Sequence, residues 1–204
     1  SLLFGVSGST LLTDINDAIT GGESSTPIIT LGIVLVIVGF GFKVSAVPFH
    51  SWAPDTYEGA PTPVTAFLAV ASKAAGFVAL INLVFIGFLG RADVVEPMMW
   101  VLAAAWMTVG NLIALRQTNV VRLLAYSGVA QAGFILAPFA VVSTNAEDAL
   151  TAVVTYLLIY AGMNLAAFAV VIAVSRKTQS GEISSFGGLF GYAPGLAVAM
   201  TVAL

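Results

Sequence analysis

Two lysines, Lys43 and Lys73, stand thirty residues apart inside long apolar runs, and the sequence places His50, Asp55, Tyr57 and Glu58 between them. An ammonium near the middle of a bilayer costs about 2.5 to 3.5 kcal/mol on insertion scales, so such a lysine usually faces a bundle interior or a water-filled path. Burial brings a lysine's two protonation states closer in free energy. It can then take a proton from one side and release it when a neighbouring charge approaches or leaves. Two such lysines on adjoining helices would form a relay. Lys43 has a structural alternative, because Pro48 lies five residues on, about 7.5 Å along a helix, and a lysine stem can snorkel that far to the interface. Lys73 lies ten residues beyond Pro63, about 15 Å and half the hydrocarbon core, which is too deep for easy snorkelling.

Other residues extend this chemistry. His50 titrates in the physiological range and could load protons at the mouth of the relay; a hydrogen-bonded loop histidine is the alternative. Ser127 and Gln131, in "LLAYSGVAQAGF", are four apart and share a helix face. They could hold water along a proton path or bond a neighbouring helix. Asn82, Asn111, Asn164 and Thr155 read as interhelical hydrogen bonders, and the small residues of "ASKAAGF" as a close-packing surface. "HSWAPDTYE" matches no metal-ligand spacing, so no metal site is expected. G-x-S-x-G, a phosphate-cradling glycine loop and H-E-x-x-H are all absent from the sequence. With no cysteine, the chain itself holds no disulfide, thiolate metal site or iron–sulfur cluster.

The elements that must position these groups follow from composition. Hydrophobic residues make up 59% of the chain and charged residues 8%, against about a quarter charged in an average soluble domain. Mean hydropathy is +1.02, which marks a multi-pass integral membrane protein with the lipid bilayer as its surroundings. The net charge of -3 includes no basic cluster, and no nucleic-acid partner is expected. A spanning helix needs about 20 mostly apolar residues. Such runs cover Pro27 to Phe49, Pro63 to Gly90, Pro97 to Leu115, Leu123 to Val142 and Ala149 to Val174, with an unfinished one from about Gly187. Ser1 to Leu12 reads as the tail of an earlier helix, and "TDINDAITGGESS" as a connection. Pro27, Pro63 and Pro97 sit at predicted helix starts, where a missing N–H costs nothing.

If the spans alternate, the loops holding Arg116, Arg122, Arg176 and Lys177 share one side, which the positive-inside rule assigns to the cytoplasm together with "PFHSWAPDTYEGAP". The opposite loops hold Asp14, Asp17 and Glu23, then Arg91, Asp93 and Glu96, then Glu147 and Asp148. Neither end of the sequence resembles a natural terminus: the first residues lack Met, a basic region and an A-x-A site, and "LAVAMTVAL" stops inside an apolar run. Residues 1–204 are therefore expected to be one transmembrane domain fragment of a longer chain. Pro48 and Pro194 could interrupt helices, and broken membrane helices survive where the freed backbone lines a cavity or finds partners. An interruption near Val44 to Pro48 would move Lys43 from the interface toward the midplane.

"GFKVSAVPFHSWAPDTYEGAPTPVTAFLAVASKAAGF", followed by "NVVRLLAYSGVAQAGFIL", resembles the antiporter-like membrane subunits of proton-pumping NADH:quinone oxidoreductase, respiratory complex I. The wording of "VPFHSWAPDTYEGAPTPV" is most similar to the N-type members, called subunit 2 in mitochondria. The resemblance implies an all-α polytopic transmembrane bundle with interrupted helices, whose family helices seven to eleven are the five complete spans. It implies that Lys43 is the central lysine of an interrupted helix, that Lys73 on the next helix links toward it, and that His50 lies in the connecting segment. Two further partners, an acid on the fifth family helix and a lysine on the twelfth, would lie beyond this sequence. Gln131 stands where some sister subunits carry histidine, which leaves it a water-holding role. The implied partners are other membrane-arm subunits, in a bacterial plasma membrane. NADH, FMN, iron–sulfur clusters and quinone are expected in those other subunits, with no cofactor in this chain. Cation/proton antiporters and membrane-bound hydrogenases of the same superfamily share the lysines and stand as the alternative.

Overall fold

The computed structural model describes residues 2–21 and 27–204, so Glu23 of the first connection lies outside the described residues. Within them the chain is a helical bundle, and four helices are long and apolar enough to cross a membrane: α5 (Thr62–Gly87), α6 (Leu89–Ala114), α7 (Val120–Val141) and α8 (Ala146–Thr178). Ahead of them come α1 (Leu2–Ser7), α2 (Leu12–Gly21), α3 (Pro27–Lys43) and α4 (Trp52–Gly59). After them come the short α9 (Leu189–Tyr192) and α10 (Pro194–Ala203).

The span expected from Pro27 to Phe49 is interrupted, and the interruption starts before proline is reached. Ala46 N donates to Gly41 O at 2.7 Å and Ser45 N to Phe42 O at 3.1 Å, the paired bonds of a Schellman motif that closes α3 directly after Lys43. Ser45 holds the left-handed position, at φ +63°, which glycine usually occupies. The chain then turns through Val44 to Ser51 and resumes as α4. Backbone groups freed by the break find partners: Trp52 Nε1 donates to Phe42 O at 3.2 Å and Trp106 Nε1 to Val47 O at 3.1 Å. That is the condition under which irregular backbone is tolerated at membrane depth.

The remaining helices depart from expectation mainly at their ends. Pro63 does stand in the first turn of α5. Pro97, expected at a helix start, lies inside α6; the bond it forfeits is to the carbonyl of Asp93, an exposed residue near the helix start. Helix α7 begins earlier than expected because Asn119 caps it, its Oδ1 accepting from Val121 N at 2.8 Å and Arg122 N at 3.3 Å. Helix α8 runs 33 residues, with Glu147 and Asp148 in its first turn and Arg176 and Lys177 in its last, charges that complement the helix dipole at both ends. The connection read in "TDINDAITGGESS" is largely helix α2, whose Ile15 and Ile19, four apart, are buried while Asp14 and Asp17 face outward. Pro194 begins α10 after a break at Ala193.

Contacts sort the connections into the same two ends that charge predicts. At one end Gly90 N donates to Asn16 Oδ1 at 3.2 Å, Arg91 Nη2 to Thr30 Oγ1 at 3.1 Å, and Ser143 N to Glu96 Oε1 at 2.7 Å. At the other, Val120 N donates to Gly181 O and Ile183 N to Thr118 O, both at 2.8 Å. Between these ends α6 and α7 pack at backbone distance: a Cβ on Gly110 would stand 2.7 Å from Ala130 N, and one on Gly133 would stand 2.9 Å from Ala103 O. Small residues permit this approach where lipid supplies no hydrophobic drive.

Candidate functional site

The Schellman turn sets Lys43 in the last turn of α3, where a cation is favoured by the carbonyl end of the helix. Lys43 is exposed on this chain rather than enclosed in the bundle, and its Nζ donates to Ser72 Oγ at 3.1 Å. Ser72 closes a wide, π-helical turn of α5, Leu68–Ser72, and Lys73 follows directly. Wide turns of this kind are frequent at functional sites. The two lysines therefore meet through adjacent residues of one helix. Gly76 supports that meeting, since its would-be Cβ lies 3.5 Å from Lys43 Cγ and 2.7 Å from Val44 Cγ1.

Lys73 is the buried member of the pair, 3% exposed. Its Nζ has no hydrogen-bond partner among the described residues. It rests against Gly128 of α7, where a Cβ would stand 2.9 Å from Nζ and 3.1 Å from Tyr160 Oη. Tyr160 of α8 is itself buried, and its hydroxyl donates to Ala69 O, in the wide turn, at 3.1 Å. An amine buried among α5, α7 and α8 without a hydrogen-bond partner among the described residues is a group whose charge state answers to small changes in local field.

His50 lies in the irregular segment between α3 and α4, edge-on to Tyr126 of α7 at 6.1 Å between ring centroids, with its Nδ1 buried. Asp55 and Glu58, expected in a loop beside it, belong instead to helix α4 and are drawn to Arg122. Arg122 Nη1 donates to Asp55 Oδ1 at 2.6 Å and to Glu58 Oε2 at 2.8 Å, and Asn119 Nδ2 donates to Glu58 Oε1 at 3.2 Å. Their spacing of three puts both carboxylates on one helix face. They pin α4 to the start of α7.

Ser127 and Gln131 do share a face of α7, turned toward α8 and α10, and with Met163 and Asn164 they border a small cavity of about 20 Å³. Gln131 Oε1 accepts from the Tyr156 hydroxyl. Asn164, expected to bond across helices, donates instead within α8 to Tyr160 O at 3.0 Å. Asn82 and Asn111 likewise donate to carbonyls four residues earlier in their own helices. Long polar side chains inside an apolar helix satisfy themselves on the nearest backbone when no partner helix offers a better group.

Sequence reasoning missed Ser72, Gly128, Tyr156 and Tyr160. Ser72 carried a signal in its position next to Lys73, and Gly128 in its position next to Ser127. The two tyrosines stand in the apolar run "TYLLIYAGMN", where nothing in the spacing points at α5 or α7.

Over residues 1–204 the sequence matches the family described as "NADH:quinone oxidoreductase/Mrp antiporter, TM". It is 45% identical to NADH-quinone oxidoreductase subunit N of Desulforamulus reducens, over 100% of this chain and 42% of that protein. It is 48% identical to the subunit N of Rubrobacter xylanophilus, over 98% of this chain and 41% of that protein. Among solved structures, respiratory complex I from Thermus thermophilus with bound aureothin contains a chain that superposes with a TM-score of 0.73 at 32% identity, covering 99% of this chain and 42% of that one. The Mrp complex from Dietzia sp. DQ12-45-1b contains one with a TM-score of 0.87 at 24% identity, covering 99% and 36%, and shares the fold. The chain spans about two fifths of the length of these relatives.

Proposed function

From the premise that this chain belongs to the NADH:quinone oxidoreductase/Mrp antiporter transmembrane family, we propose that it forms part of an N-type membrane-arm subunit of a proton-translocating NADH:quinone oxidoreductase. In this reading it is a non-redox part of a translocase in a bacterial plasma membrane, partnered by other membrane-arm subunits. It carries protons, while NADH, FMN, iron–sulfur clusters and quinone belong to other subunits.

The observation that carries the reading is the Lys73 amine, 3% exposed and unpartnered among the described residues, one residue from the serine that holds Lys43. A charge displaced in the membrane arm during quinone reduction would alter the field at these amines. In a medium of low effective dielectric constant, a unit charge acts at several ångströms with an energy large enough to change proton occupancy. Lys43 and Lys73 are the proton carriers in this mechanism. Ser72 orients Lys43 toward the Lys73 helix, and Gly128 and Tyr160 bound the space that the Lys73 amine occupies. His50, Ser127 and Gln131 supply polar positions at which protons reach or leave the lysines.

The test uses the full-length subunit assembled in its complex, in inverted vesicles energised with NADH, with proton uptake and quinone reduction measured together. Lys73→Ala and Lys43→Ala are expected to lower proton uptake, with or without a matching fall in electron transfer. Wild-type uptake by both assembled variants would refute the relay. Uptake that needs a preset cation gradient and ignores NADH would place the chain with the cation/proton antiporters of the same family.

A further inference from the structure

Helix α4 is eight residues long, and Ser51 before it makes no side-chain cap. A helix that short has little stability of its own, so its place in the fold is set by what it touches. Ala53, Pro54 and Tyr57 are buried on its inner side. Its acids do not both follow the helix dipole: Asp55 stands in the first turn, but Glu58 stands at the carbonyl end, where a negative charge is disfavoured. Both carboxylates instead meet one nitrogen of Arg122, at 2.6 and 2.8 Å. Asn119, Arg122 and Tyr126, three and four apart, lie on one face of α7. They meet the segment from His50 to Glu58 in reverse order: Asn119 bonds Glu58, Arg122 bonds Glu58 and Asp55, and Tyr126 stands edge-on to His50. We propose that Arg122 is a positioning residue of the relay, holding α4 in register on α7 so that His50 stays against Tyr126 and the turn after Lys43 stays closed. The proposal deepens the reading above and rests on it for the consequence to proton transfer.

The α7 side of this ladder is the fixed one. Asn119 Oδ1 accepts from Val121 N, while Val120 N donates to Gly181 O and Ile183 N to Thr118 O, so the base of the ladder is tied through backbone groups. The α4 side reaches the break. Trp52, the first residue of α4, donates its Nε1–H to Phe42 O, the carbonyl just before Lys43, and its ring centroid lies 5.6 Å from that of Phe42. A shift of α4 along α7 therefore draws His50 away from Tyr126 and Trp52 away from the last turn of α3 together. Arg122 is needed for a second reason. Asp55 and Glu58 share one face of α4, so without the cation between them two like charges face each other.

The test uses the full-length subunit in its assembled complex, with quinone reduction reporting assembly. Native His50 is its own probe: diethyl pyrocarbonate modifies an accessible imidazole, and peptide mass spectrometry locates the product on His50. The variants are Arg122→Gln, Arg122→Lys, and Arg122→Gln combined with Asp55→Asn and Glu58→Gln. Arg122→Gln is expected to raise the modification rate of His50 on the order of tenfold, as local opening of α4 exposes the ring, and to lower proton uptake per quinone reduced. Arg122→Lys should restore both, because one ammonium can bond two carboxylates. The triple variant should be milder than Arg122→Gln alone, since it removes the repulsion along with the attraction. A wild-type His50 rate in assembled Arg122→Gln, no rescue by lysine, or a triple variant worse than the single one would each overturn the clamp. Raised His50 reactivity with wild-type uptake per quinone, in a complex whose Lys73→Ala variant loses uptake, would overturn the positioning role. Should Arg122→Gln fail to assemble, Asp55→Asn combined with Glu58→Gln removes the same two ion pairs and takes its place, with the same expected rise and the same overturning result. His50 reactivity is read without pumping, so the clamp and the lysine relay fail separately.

Discussion

At Gly128 a single hydrogen atom decides where the Lys73 amine can sit. An added Cβ would meet the Nζ at 2.9 Å and the Tyr160 hydroxyl at 3.1 Å, both the free ends of side chains, so the backbone has no reason to move. Gly128→Ala is therefore expected to leave assembly and thermal stability within about 1 kcal/mol of wild type while lowering proton uptake per quinone reduced. A variant that pumps normally would show that the amine's position is not critical. Ser45 offers the complementary case. Its left-handed φ of +63° costs a residue with a Cβ about 1 to 2 kcal/mol. Ser45→Gly should therefore leave the thermal midpoint unchanged or raise it, and Ser45→Val should lower it. Both shifts are readable in a melting curve of the purified complex.

Elements position these residues through backbone contact and end-capping more than through side-chain charge. The α6–α7 pair is the clearest example, because the neighbours of Gly110 and Gly133 are backbone atoms that cannot step aside. Gly133→Ala is expected to destabilise by about 1 to 3 kcal/mol, the usual cost of overpacking a close contact, and to lower the yield of assembled complex. Asn119 joins three jobs, capping α7, bonding Glu58 and flanking the strand-like pairing with Glu182. Asn119→Ala should cost about 0.5 to 2 kcal/mol for the cap alone, and proteolysis at the α4 end should quicken if the α4–α7 pin loosens with it. Part of this level could be read in the sequence. The asparagine before an apolar run and the acids and bases at the ends of α8 are legible capping and dipole signals. The Schellman turn at Ser45 was not, because it depends on a serine taking a backbone shape that local propensity assigns to glycine.

For the molecule as a whole, lipid-facing surface and the two polar ends set the topology. Large apolar side chains such as Trp100 and Leu158 are exposed on the surface of the described helices, which water would disfavour and an apolar surrounding tolerates. Single cysteines at Gln179 and at Asn145 should label from opposite sides of the membrane, Gln179 from the cytoplasm by the positive-inside rule. Labelling of both from one side would overturn the helix count between them.

The sequence by itself determined the class, the approximate extent of the four long apolar helices, the grouping of loops into two ends, and the depth of Lys73 within an apolar run. Each follows from a quantity additive along the chain: hydropathy over a bilayer's thickness, charge per loop, and depth within a run. Only the tertiary structure decided that α3 stops at Lys43 before any proline, that Ser72 joins the two lysines, that Gly128 and Tyr160 enclose the buried one, and that Asp55 and Glu58 pair with Arg122. Those outcomes depend on which helices lie side by side and at what distance. Several membrane helices of nearly uniform apolar character leave that choice to small residues and a few polar contacts between distant parts of the chain.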